Sequence, residues 1–119
     1  FYERGTFKGW EDACLDDYIS SSIKRDEKGH YQLGCPPWME AAIFSSYPKG
    51  LWKAIANISV PTTIIQGKDT FDYFKEAYQL AAKRNPNIHV VEVEGGHCFM
   101  QQHTTMAADA VINVLKGEK

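Results

Sequence analysis

The sequence predicts an α/β fold, with parallel strands flanked by helices and a helical region ahead of them. Two short runs rich in β-branched residues, "VPTTIIQG" and "IHVVEVEGG", each precede a segment of helical periodicity. The order strand, helix, strand, helix with short connections is the pattern of a parallel sheet. The first half of the chain has no such runs and carries its apolar and aromatic residues at helical spacing.

Residues 1–57 read as a helical lid or cap. "GWEDACLDDYISSSIKR" places Trp10, Cys14, Leu15, Tyr18, Ile19 and Ile23 on one helical face, acids early and bases late, an order that suits the helix dipole. "RDEKGHY" reads as a polar turn. "CPPWMEAAIFSSY" begins a second helix, whose prolines are tolerated in its first turn. Pro48 and Gly50 end it, and "LWKAIANI" predicts a short third helix.

Residues 58–119 read as the strand–helix–strand–helix part of the core. Pro61 and Gly67 bound the first strand. "FDYFKEAYQLAAKR" follows as a helix with Phe74, Ala77, Tyr78 and Ala81 on one face. "NPN" is a turn, "IHVVEVEGG" the second strand, and "TTMAADAVINVLKG" a helix with Ala107, Ala110, Val111, Val114 and Leu115 at helical spacing, closed by Lys116 and Gly117. Parallel sheets need cover on both faces and more than a pair of strands. The segment therefore reads as the C-terminal part of a larger α/β domain, and by itself it is expected to fold poorly around an unpaired sheet edge.

The bulk composition narrows the function. The chain has 119 residues, is 44% hydrophobic and carries a formal net charge of -2. Near-neutral charge gives no electrostatic case for nucleic acid or an acidic membrane surface as partner. No apolar run approaches the roughly 20 residues of a membrane span. The three cysteines, Cys14, Cys35 and Cys98, form no C-x-x-C pair and read as reduced, buried thiols, which points to the cytoplasm. The four histidines lack HExxH or C-x-x-C company, so no metal is expected, and no glycine-rich phosphate loop occurs.

Chemistry is expected at the carboxyl ends of the strands, where open parallel sheets collect functional groups. The first strand ends in "QGKDTFD" and the second in "EGGHCF". A strand–helix–strand unit brings both ends to one rim, with neighbouring strands about 4.8 Å apart. Asp69 and His97 then meet: a carboxylate on one imidazole nitrogen fixes the tautomer and leaves the other nitrogen free to take a proton. Gly95 and Gly96 permit the tight turn that presents His97. Asp72 is the second choice for the acid. Cys98 neighbours His97 in sequence, but adjacent side chains rarely face each other, and it reads as a packing residue.

The segment from "VPTTIIQGKDTFDYF" through "VVEVEGGHCFM" to "ADAVINVLK" resembles the closing part of the α/β-hydrolase superfamily, in which the triad runs nucleophile, acid, histidine along the chain. "LDDYI", "GHYQLGCPPWMEAAIF" and "LWKAI" resemble its helical lid. The resemblance implies His97 as the catalytic histidine and Asp69, or else Asp72, as the acid. Many members read Gly-x-x-Asp after this strand, whereas here Asp69 stands one position short, and some members place the acid after an earlier strand. "MQQHTT" also departs from the glutamate and proline common there. No Gly-x-Ser-x-Gly elbow occurs in these residues, so the nucleophile and the oxyanion loop are expected upstream or on a companion chain, and this chain alone is expected to be inactive.

The implied activity is hydrolysis of a small apolar substrate, a carboxylic ester first, without a cofactor. The implied partners are that small molecule and the remainder of the hydrolase core. An aspartate nucleophile would indicate an epoxide or haloalkane substrate instead. The fold also serves non-catalytic, receptor-like ligand binding, of which an altered acid loop would be a mark. Among the aromatics of the lid, mostly packing residues, Trp38 and Phe44 are the candidates for lining the substrate cleft.

Overall fold

The computed structural model describes residues 5–117. In chain order it contains a short 3-10 turn at Gly5–Phe7, α1 (Asp12–Ser22), β1 (Ile23–Arg25), β2 (Tyr31–Leu33), α2 (Pro37–Phe44), α3 (Leu51–Ala56), β3 (Thr62–Gly67), α4 (Asp72–Arg84), β4 (Ile88–Val93), α5 (Phe99–Gln102) and α6 (Thr104–Lys116). These residues form two compact units, one of residues 12–49 and one of residues 5–11 with 50–117. Among them no helix is long and apolar enough to cross a membrane.

In the unit of residues 12–49, α1 stops before the "IKR" that the sequence pattern assigned to it. Ser20 and Ser21 donate their hydroxyls back to the Asp17 carbonyl at 2.9 and 2.8 Å, offering the backbone an alternative to further helix. Ile23, β-branched, opens β1, which pairs antiparallel with β2 in the register Ile23↔Leu33 to Arg25↔Tyr31. The polar turn between them is a hairpin loop. The Asp26 carboxylate accepts the backbone N–H groups of Lys28 and His30 at 2.9 and 2.8 Å, and Gly29 takes a φ of +81°. Arg25 donates to the Tyr31 hydroxyl at 2.6 Å with its guanidinium over the ring. The region therefore combines helices with a β-hairpin, where the sequence pattern predicts mostly helix. α2 begins as expected, with Pro37 in its first turn. Leu15 is fully buried, whereas Cys35, expected as a buried thiol, is exposed.

In the second unit, β3 and β4 pair in parallel from Thr62↔Ile88 to Gly67↔Val93, with α4 as the crossover. The expected face of α4 holds: Ala81 is buried and Phe74, Ala77 and Tyr78 are partly so. Lys83 and Arg84 close its C-terminus, where cations suit the dipole. Asn85 stands at the turn into β4 and is 2% exposed. Its amide donates to the carbonyls of Ile55 and Ile58, both at 2.8 Å, and its oxygen accepts from Asn87 N–H at 2.9 Å. Those bonds fasten the end of α3 here, so α3 packs with the sheet unit and not with the helical region to which the sequence reading assigned it.

Ala81, Ile88, Phe99 and Ala107 are the buried apolar side chains of this unit. The "FMQQ" connector forms a short helix, α5, that periodicity does not reveal. α6 starts on a carboxylate from far upstream: Glu11 accepts the Thr104 N–H at 2.8 Å and its hydroxyl at 2.7 Å. These two bonds hold the Glu11 carboxyl below the usual glutamate range. Gly117, with φ +72°, ends α6 as expected. Val111 and Leu115 of its apolar stripe remain 49% and 81% exposed.

Candidate active site

The parallel register continues past the strands. Lys68 N–H donates to the Val93 carbonyl at 2.8 Å and Asp69 N–H to the Gly95 carbonyl at 3.0 Å. The two strand-end loops therefore run side by side. Gly95 adopts φ +110°, a conformation that side chains disfavour, and Gln102 holds the turn by accepting Gly96 N–H at 2.7 Å. The Gln102 amide in turn donates to the Lys8 carbonyl at 3.0 Å, tying the segment before residue 12 to the loop. Gly67 has no room for a side chain, since a Cβ there would overlap the Gly96 carbonyl oxygen. Across the rim Lys68 and Glu94 pair at 2.7 Å, and Glu94 pushes the Lys68 ammonium above its usual range.

This framework delivers His97 to an open cleft of about 910 Å³ lined by Asp69, Phe71, Gly95, Gly96, His97 and His103, among others. The imidazole stacks on Phe74, with centroids 4.5 Å apart and planes 8° from parallel, and Phe71 leans on it at 5.5 Å. Its Nδ1 lies 2.9 Å from the Thr70 hydroxyl oxygen. Thr70 is 6% exposed whereas His97 is exposed, so the contact is buried on the threonine side and open on the side of the ring. Nε2 has no hydrogen-bond partner among the described residues.

The expected carboxylate contact is not formed. Asp69 lines the same cleft, but its side chain makes no hydrogen bond or ion pair with His97 among the described residues. Its N–H is spent on Gly95, and the side chain is exposed. Asp72 lies in the first turn of α4, with its side chain 94% exposed and 3.9 Å from Lys75. Register explains the outcome. Gly67 pairs with Val93, and the turn closed by Thr70 N–H on the Gly67 carbonyl at 3.1 Å brings the third residue after Gly67 against the fourth after Val93. That third residue is Thr70.

A smaller cavity of about 180 Å³ is lined by Gln66, Thr70, Tyr78 and His97, among others. The Gln66 amide donates to Glu92 at 3.3 Å, while its buried carbonyl oxygen has no hydrogen-bond partner among the described residues. Trp38 and Phe44 lie on α2 in the other unit, 68% and 82% exposed. Among the described residues no group of His, Cys, Asp and Glu is arranged to hold a metal ion.

Comparison with protein-family models, with curated proteins and with solved structures gave no match.

Proposed function

We propose that this chain supplies the histidine end of a hydrolase site of the α/β-hydrolase type, acting on a small apolar carboxylic ester. The observation that carries the reading is the position of His97: an imidazole stacked on Phe74 at the carboxyl rim of a parallel strand pair, with one ring nitrogen held by Thr70 and the other without a hydrogen-bond partner among the described residues. In this reading a nucleophile outside these residues loses its proton to His97 Nε2 and attacks the ester carbonyl carbon. The imidazolium then returns the proton to the departing alkoxide oxygen. Water, deprotonated in turn by His97, releases the acid from the covalent intermediate. The aromatic wall of Phe71 suits an apolar substrate group. Asp69 is not assigned the orienting role here, because Thr70 and Phe74 hold the ring.

Intact mass of the full-length protein after brief exposure to an aryl acetate tests the reading. A transient gain of one acetyl group, with release of the phenol, is expected. An unchanged mass with no phenol released would overturn it.

A second reading, non-catalytic ligand binding on the same fold, is favoured by the hydroxyl that stands on Nδ1 in place of a carboxylate. It expects saturable binding of an apolar carbonyl compound, with the ligand recovered unchanged.

A further inference from the structure

The Thr70–His97 contact decides which atom of the ring carries the proton, and hence what the cleft meets. A carboxylate only accepts hydrogen bonds, so it would force a proton onto Nδ1 and leave Nε2 bare. A threonine hydroxyl has one proton to give and lone pairs to receive, so it admits either tautomer. Burial breaks the tie. Thr70 is 6% exposed, and His97 Nδ1 is the one hydrogen-bond partner of its hydroxyl among the described residues. If Nδ1 donated, the buried hydroxyl proton would have no acceptor, which is costly. If the hydroxyl donates, only a lone pair goes unused. Stacking on Phe74 and the lean of Phe71 keep the ring in the plane that this bond requires.

We propose that Thr70 is the positioning residue of His97: its hydroxyl donates to Nδ1 and, in the neutral ring, keeps the proton on Nε2. The cleft then meets an N–H donor, suited to a carbonyl or carboxylate oxygen of the bound molecule. Action as a base requires the proton to move to Nδ1 while the threonine hydroxyl turns to accept it. The ring is thus poised for oxygen recognition first and proton abstraction second. The inference rests on the reading that His97 faces the ligand, and its test does not depend on hydrolysis.

The test is the ring ¹H–¹⁵N correlation spectrum of His97 in the full-length protein, labelled at histidine and held at a pH where the ring is neutral. The Nε2–H tautomer is expected to dominate by about ten to one or more. Thr70→Ser should keep that spectrum. Thr70→Val should erase the preference, and Thr70→Asp, an acceptor only, should transfer the proton to Nδ1. A wild-type ring carrying its proton on Nδ1 would overturn the inference. A Thr70→Val ring with the wild-type tautomer would overturn it equally. Failure of ester turnover would leave both spectra unchanged, so the functional reading and this inference stand or fall separately.

Discussion

Gly67 and Gly96 meet backbone to backbone, the α-carbon of one packed against the carbonyl oxygen of the other, so that even a methyl group on Gly67 has no space. That approach lets the two strand-end loops run together and present His97. Gly67→Ala should therefore act at both levels. Overpacking against backbone rather than a flexible side chain should lower stability by about 2–3 kcal/mol in urea denaturation. The His97 loop should shift at the same time, seen as chemical-shift changes at Gly95, Gly96 and His97. Unchanged stability would show that the loops have slack.

Asn85 offers a test of the fold away from the site. Its substitution by Ala removes the amide bonds to Ile55 and Ile58, whose carbonyls keep the Ile58 N–H and the Asn87 amide as donors, and takes the acceptor from the Asn87 N–H, so a loss of about 1–3 kcal/mol is expected. Asn85→Asp keeps the acceptor for Asn87 but not the donors to Ile55 and Ile58. It should be destabilised as well, and the hydrogen exchange of α3 should rise with it.

Glu11 links acid pH to stability. Its carboxyl is lowered in the folded state, first by the Thr104 hydroxyl and then by the Thr104 N–H. The contribution is therefore present above the unfolded-state value and is lost as pH falls through the lowered folded-state value. Urea midpoints measured down the acid range should drop more steeply for the wild type than for Glu11→Gln. Parallel curves would contradict the capping role.

Lys68 and Glu94 work at the opposite end of the scale. The raised Lys68 value means that the contribution of the pair is complete below the unfolded lysine value and is lost as pH rises through the folded one. Both side chains are well exposed, at 46% and 70%, so the effect of Glu94→Gln should be small and should vanish in about 1 M salt. A large, salt-independent loss would show that the pair is shielded.

Periodicity made the sheet unit legible. The two β-branched runs, the Phe74–Ala81 face of α4 and the Gly117 stop of α6 all follow local rules that tertiary contacts here reinforce. The β1–β2 hairpin was hidden because Ile23 continues the helical spacing of α1, and only the serine back-bonds and the Asp26 turn reverse that preference. α5 is too short for any period to show. His97 announced itself through the glycines before it. Its partner did not, because a search for acids passes over a hydroxyl, and the choice of Thr70 over Asp69 depends on strand register, which no single segment encodes.

The most direct measurement of the central claim is the kcat/KM of the full-length protein on a short-chain aryl ester, wild type against His97→Ala. If His97 is the proton-transferring group, the variant should lose about a thousandfold or more. Hydrolysis by His97→Ala at a near wild-type rate would contradict the claim that this imidazole does the chemistry.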